Sequence, residues 1–325
     1  MSLFLRTCRV GLLLRPATRK ERDTVDDPTE RFEEHRSHLR AVAYRMLGSV
    51  AEADDAVQEA WLRFHRADTA EVENLGAWLT TVVARLCLNV LRSREQRRED
   101  AWDLHLPDPV LGYGDGSDPE HEAVLADSVG LALLVVLDTL TPAERLAFVL
   151  HDLFAVPFDE IAAVIEKSAA ATRQLASRAR RRVQGRVPTP DPDLARQREV
   201  VNAFFAAARD GDLDALVAVL DPDVVLRSDG GAGSRFTVAY TGARTVAGQA
   251  VTFGRLSPFA RPVLVNGAAG VVVVADGRPV SIMAFTVVGG RIVAVDVLAD
   301  SARLARLVDV RAVDAAGPVD SPDSR

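Results

Sequence analysis

Apolar positions recur at helical spacing through the first third of the chain. In LRAVAYRMLGSV, Leu39, Val42, Ala43, Met46 and Leu47 mark one helical face, and Gly48 offers a stop. AEADDAVQEAWLRF sets Ala53, Val57 and Trp61 four residues apart, with Ala56 and Ala60 beside them. The polar loop ADTAEVENLG leads into AWLTTVVARLCLNVLRSREQRRE, a long helix whose basic end suits the helix dipole. A second helical group follows: SVGLALLVVLDTL, TPAERLAFVLHDLF, VPFDEIAAVIEK and AAATRQLASRARRRV. Thr141 as N-cap, Pro142 at the first position and Glu144 three residues on read as a capping box. From Leu194 the pattern changes. RQREVVNAFFAAARDG and DLDALVAVLD keep helical spacing, then DVVLRS, FTVAY, PVLVNG, AGVVVVADG, PVSIMAFTVVGG and RIVAVDVLA read as strands separated by Gly-containing turns. The chain is therefore multidomain: two all-α units, then an α+β unit with helices first and a mostly antiparallel sheet.

Two breaks separate these groups. Glu99 to Asp127 holds nine acids, no Lys or Arg, and several Pro and Gly, a composition that reads as an extended linker. Val187 to Asp193, VPTPDPD, is a Pro-rich break. The expected division is a disordered leader over 1–30, helical units over 31–100 and 128–187, an acidic linker over 101–127, a hinge over 188–193, the α+β unit over 194–310 and a frayed tail over 311–325. In the leader, Arg6, Arg9 and Arg15 interrupt the apolar stretch, so a disordered segment or an early start fits better than a signal peptide. Cys8 and Cys87 form neither a disulfide framework nor a CxxC motif, which fits a reducing compartment, and the expected location is the cytoplasm. No uninterrupted run of about 18 apolar residues is present, so no membrane partner is expected.

Net charge is −7, yet Ser168 to Arg186 carries Arg173, Arg178, Arg180, Arg181, Arg182 and Arg186 without one acid. Leu175, Ala179 and Val183 recur every four residues and mark a buried face. Arg173, Gln174, Ser177, Arg178 and Arg181 fall on the opposite face, with Ser168 placed to cap the helix. A short helix, a tight turn and a second helix with a polar-basic face make a helix-turn-helix pattern, whose second helix can enter a DNA major groove. A solvated basic helix without a partner is the alternative.

The order AVQEAWLRF, AWLTTVVARLCLNVLRSR, acidic linker, then LTPAERLAFVLHDLFAVPFDEIAAVIEKSAAATRQLASRARRRV resembles bacterial extracytoplasmic-function sigma factors over about Arg31 to Val187. The segment Leu194–Val310 resembles a SnoaL/NTF2-like cone, a fusion found in the subgroup that includes actinobacterial sigma factor J. The resemblance implies a region 2 unit, a region 4 helix-turn-helix that reads the minus-35 element through the five residues just named, and partnership with core RNA polymerase and promoter DNA. It implies that Asp55, Gln58, Glu59 and Leu62, spaced along one helix face, bind the polymerase clamp helices. It also implies that Thr81, Arg85, Asn89 and Arg92 meet the melted minus-10 element, with Arg94 on phosphate and the loop Ala67–Asn74 forming a base pocket. Trp78 either stacks on a base or packs between helices. The acidic linker either threads toward the polymerase RNA path or acts as a spacer.

The third unit has no His, Cys or Trp and one Tyr, Tyr240, so no metal or cofactor is expected there. Asp229, Tyr240 and Asp296 are the conceivable acid–base groups, too thin a set for an enzyme. SDGGAG, Ser228 to Gly233, resembles the DGGG motif of the fused subgroup, with Ala232 replacing the third Gly. Asp229, Gly230 and Gly231 are therefore the candidate regulatory contact. LADSARL, Leu298 to Leu304, keeps only the Asp and final Leu of a second subgroup motif, which puts contacts through it in doubt. The resemblance implies a sigma factor regulated in cis by its third domain. The alternative is a DNA-binding module fused to an enzymatic or small-molecule-binding domain, with an unidentified pocket ligand as partner.

Overall fold

The computed structural model describes residues 28–67, 72–98, 104–113, 130–184 and 186–315. Expectations that fall on 1–27, 68–71, 99–103, 114–129, 185 and 316–325 lie outside the described residues. The first helical unit comprises α1 (Pro28–Leu47), α2 (Val50–Arg66) and α3 (Leu75–Arg98). Leu39, Val42, Met46, Ala53, Val57, Leu79, Val83 and Cys87 meet in its core. α1 begins at Pro28, so residues 28–30 are helical and not part of a disordered leader. Over Leu75–Gln96, α3 is long and apolar enough to cross a membrane, and 44% of that window is buried inside the protein.

The second helical unit comprises α4 (Leu131–Leu137), α5 (Pro142–Phe148) with a π turn at Val149–Leu153, α6 (Phe158–Ile165) and α7 (Ala169–Gln184). Thr141 and Glu144 form the capping box at the start of α5. Glu166, with φ 57°, ends α6, and the Ser168 hydroxyl accepts from Ala171 N to start α7.

The C-terminal unit opens with α8 (Leu194–Asp210) and α9 (Leu213–Val219). Strands β2 (Leu220–Asp229) and β3 (Val238–Thr241), helix α10 (Ala243–Phe253), strands β4 (Ala260–Val265), β5 (Ala268–Ala275), β6 (Arg278–Val288) and β7 (Arg291–Leu298), and helices α11 (Ser301–Leu307) and α12 (Val310–Ala315) follow. A two-residue strand from the acidic segment, β1 (Leu111–Gly112), joins the sheet, whose order is β1-β4-β5-β6-β7-β2-β3. Every neighbouring pair is antiparallel except β2 with β7.

The run AGVVVVA in β5 is buried almost end to end because both faces of the sheet are covered. Val271 and Val273 face α8, α9 and α10, together with Phe285 and Val295. Val272 and Val274 face the other way, into the apolar cluster that also holds both helical units. On the first face, Phe204, Phe205 and Phe285 fill the interior, with ring centroids 5.6–6.0 Å apart.

Three expectations need correction. Residues 104–113 do not form a solvated linker: Leu106 through Gly112 are buried, because they supply the strand and side chains that close the sheet edge. The unit does not end at 310, since α12 carries Val313, fully buried against the sheet. The segment 188–193 is not a free hinge. Asp191 accepts from Gly289 N and Gly290 N at 2.8 and 2.9 Å, and its own N–H donates to Val287 O. Those two backbone bonds, Gly290 first, hold its carboxyl below the usual carboxylate range.

Candidate nucleic-acid interface

Leu175, Ala176 and Ala179 bury one side of α7, and Arg173, Gln174, Ser177, Arg178 and Arg181 are exposed on the other. α6 packs across α7 through Ile161, Val164 and Ile165, which fixes the angle at which that face is presented. Not all the charge is free. Arg180 pairs with Asp152, and Arg178 and Arg182 pair with Glu144. Arg173 lies over the Phe158 ring at 5.6 Å, and Arg181 Nε donates to Ser177 O within the helix.

α2 presents Asp55, Gln58 and Leu62 to solvent. Glu59 is half-buried and pairs with Arg63 one turn on. The four residues share one side of the helix, opposite buried Ala53, Ala56, Val57 and Ala60.

α3 places Arg85, Asn89 and Arg92 at exposed positions and Thr81 at a half-buried one. This face turns toward the second unit, and Arg85 Nη2 donates to Ala163 O of α6 at 3.4 Å. Arg94 is engaged inside the protein, on Leu47 O at 3.0 Å and on Glu52. Trp78 is half-buried with its ring 6.4 Å from Phe64, a packing position. Residues 68–71 of the candidate base-pocket loop lie outside the described residues.

The end of α1 is where the units meet. Arg145, 2% exposed, pairs with Asp138 at 2.9 Å and donates through Nε and Nη2 to Arg45 O. Gly48, with φ 71°, donates to Tyr44 O and accepts from Asp108 N at 2.7 Å. A Cβ there would lie 3.3 Å from Pro107 Cβ, so glycine serves both the turn and the close approach. Tyr44 donates to Asp108 O at 2.7 Å and accepts from Asn266 Nδ2 at 3.0 Å. Burial pushes the Tyr44 phenol up, and likewise raises the Cys87 thiol to about 12.

Asp229 is buried. Its carboxylate accepts from Leu106 N at 2.9 Å, from Gly231 N at 2.9 Å and from Arg303 Nη1 at 2.7 Å. Arg303 also pairs with Asp108 at 2.6 Å and donates to Leu106 O. Gly231, with φ 87°, sits where a Cβ would lie 2.5 Å from Asp300 Oδ2, so SDGGAG and LADSARL do meet. Gly230 N donates to Thr237 Oγ1. Asp296 pairs with Arg227 through both oxygens, at 2.6 and 3.1 Å. Both candidate acids of this unit are thus bound in ion pairs. A surface cleft of about 540 Å³ beside α10, with Arg244, Thr245 and Arg291 on its wall, contains no acid or His.

The Sigma-70 region 2 model matches residues 31–98, and the Sigma-70 region 4 model matches residues 130–183. The crystal structure of the extracytoplasmic function sigma factor SigJ from Mycobacterium tuberculosis superposes with a TM-score of 0.70 at 39% identity, covering 85% of this chain and 98% of that one. The chain belongs to the ECF RNA polymerase sigma factors. Its sequence is 50% identical to SigJ of M. tuberculosis H37Rv over 200 residues, 61% of this chain and 64% of that protein. It is 41% identical to the probable ECF sigma factor SigI of M. tuberculosis CDC 1551 over 194 residues, 58% of this chain and 66% of that one. The aligned stretches therefore span just under two thirds of these two relatives.

Within this sigma factor, sequence reasoning missed Arg145, Arg303, Asp108 and Asn266. Each has a partner 100 or more positions away, which no local pattern reveals. One signal was present: Arg145 and Arg303 interrupt otherwise apolar helical faces, where an arginine needs a partner.

Proposed function

We propose that this protein binds core RNA polymerase and directs it to particular promoters, with α7 reading the minus-35 element and α3 the melted minus-10 element. The observation that carries this is the α7 face, where Arg173, Gln174, Ser177, Arg178 and Arg181 stand exposed together on a helix-turn-helix whose core is complete without them. Arg and Gln are the residues that read base edges in the major groove. The exposed Asp55, Gln58 and Leu62, with Glu59 beside them, support α2 as the polymerase-binding surface.

The domain division that supports this reading is region 2 over 28–98, region 4 over 130–187, and a third domain that takes in 104–113 and runs from 191 to 315. This third domain acts in cis on the sigma domains, with Asp229, Gly230 and Gly231 bracing the 104–113 segment that bonds Tyr44 and Gly48 of the first unit. It is not an enzyme: Asp229 and Asp296 are neutralised by Arg303 and Arg227, and phenylalanines fill the interior. The protein works in the cytoplasm without a membrane partner. A small-molecule ligand of the cleft beside α10 has no specific observation in its favour. The test is transcription in vitro: purified protein with core polymerase should give promoter-dependent transcripts, and core polymerase alone should not. Absence of such transcripts with folded protein and active core would overturn the proposal.

A further inference from the structure

Glu144 lies on α5, outside the recognition helix, and its carboxylate is 5% exposed. It accepts from Thr141 N at 3.3 Å and Thr141 Oγ1 at 3.1 Å, so the capping box fixes where its oxygens stand. The same carboxylate holds Arg182 Nη1 at 2.9 Å and faces Arg178 Nε at 3.7 Å. The side chains of Arg178 and Arg182 are nevertheless 54% and 46% exposed. A buried acid therefore hydrogen-bonds Arg182 and stands at ion-pair distance from Arg178, while both guanidiniums keep exposed surface.

We propose that Glu144 is a positioning residue for promoter discrimination, holding Arg178 and Arg182 so that they meet DNA from set places on α7. This rests on α7 being the minus-35 helix. A free arginine samples many rotamers and settles on phosphate, which is the same at every sequence. A guanidinium held by one edge presents the rest of its planar fork to one base step. Glu144 also removes one unit of net positive charge from the face, which limits binding to arbitrary DNA.

The experiment compares Glu144→Gln with Asp152→Asn in the full-length protein bound to core polymerase. Gln keeps the capping box but not the charge. Asp152→Asn removes the same charge from the same domain and releases Arg180, which is half-buried and pairs with Asp152 rather than Glu144. Binding to a promoter duplex and to a scrambled duplex is measured by fluorescence anisotropy across a salt series. Glu144→Gln should lower the promoter-to-scrambled affinity ratio about tenfold. It should steepen the slope of log affinity against log salt by about one. Asp152→Asn should shift both duplexes alike and keep the ratio. Equal ratios in Glu144→Gln and wild type, or equal losses in the two variants, would overturn the proposal. Should Glu144→Gln unfold, Arg178→Lys supplies the second arm. Lysine keeps the charge and loses the fork, so the same fall in ratio is expected, and an unchanged ratio counts against the proposal. Arg173→Ala checks the underlying reading separately: full promoter binding by that variant would remove α7 as the DNA surface, and the role of Glu144 with it.

Discussion

The two surfaces proposed to meet DNA stand in different states. The α7 face is exposed along its length, and every residue proposed to read the duplex is on it. The α3 face is turned toward α6, with Arg85 bonded to Ala163 O and Thr81 half-buried. The difference matches the two tasks. Reading a duplex groove needs only a rigid helix at the right angle, whereas reading unstacked bases needs space beside the helix. In the chain alone Arg85 is engaged by α6 while Asn89 and Arg92 stay exposed, so the proposed second task requires Arg85 to leave Ala163 O. Arg145 of α5, bonded to Arg45 O at the end of α1, ties the two helical units together.

The largest expected effect strikes that junction. Arg145→Ala removes a buried guanidinium together with its bonds to Asp138 and Arg45 O, so it should destabilise the chain by about 3–5 kcal/mol. Thermal or urea unfolding followed by circular dichroism measures this, and a loss near zero would mean the units are held elsewhere. Next in size, Arg173→Ala should weaken duplex binding by about 1–3 kcal/mol in the chain alone and with core polymerase. Arg85→Ala sharpens the contrast. It should leave duplex binding unchanged and reduce formation of melted promoter complexes, read by permanganate reactivity of unpaired thymines. Loss of duplex binding in Arg85→Ala would erase the distinction between the two faces.

A further prediction concerns α2. Gln58→Ala with Glu59→Ala should weaken assembly with core polymerase by about 1–2 kcal/mol while helical content stays constant. Co-elution on gel filtration measures assembly, and normal co-elution would move the polymerase contact off this helix.

The smallest effect concerns pH and the anchor at Asp191. Its folded carboxyl is lowered by the Gly290 and Gly289 amides, so the anchor is complete above the usual carboxylate range and is lost as pH falls through the lowered value. Protease cleavage within 187–193 should rise over that acidic window. Asp191→Asn should show the raised cleavage at neutral pH, and identical cleavage in variant and wild type would deny the anchor.

The helical units were legible because their signals are local. Spacing of Leu39 to Leu47, the Thr141–Glu144 box and the alternation of Arg and Leu175, Ala179, Val183 each lie within a turn or two. α10 was not read, since TGARTVAGQAV lies between strand-like runs and its Gly248 dilutes the helical pattern. The acidic segment misled for a related reason. Its composition is that of a spacer, yet among the prolines Leu111 pairs with Val265 and Val110 bonds Asn266, at a sheet edge 156 positions on from Val110. Asp229 was picked for its glycine-rich setting, but its partners Leu106 and Arg303 are set by tertiary contact alone.

The contrast between the open and the closed face can be tested by tying the closed one shut. With Cys8 replaced by Ser and Cys87 left buried, Arg85→Cys and Ala163→Cys place one thiol on α3 and one on α6. A short bismaleimide with a central disulfide then links them, and a reductant releases the link. The linked protein should bind the minus-35 duplex as well as the released protein does, yet give no promoter-dependent transcripts with core polymerase until the reductant is added. Equal transcription from linked and released protein would show that α3 reads the promoter without leaving α6, and that the closed face is not closed to DNA.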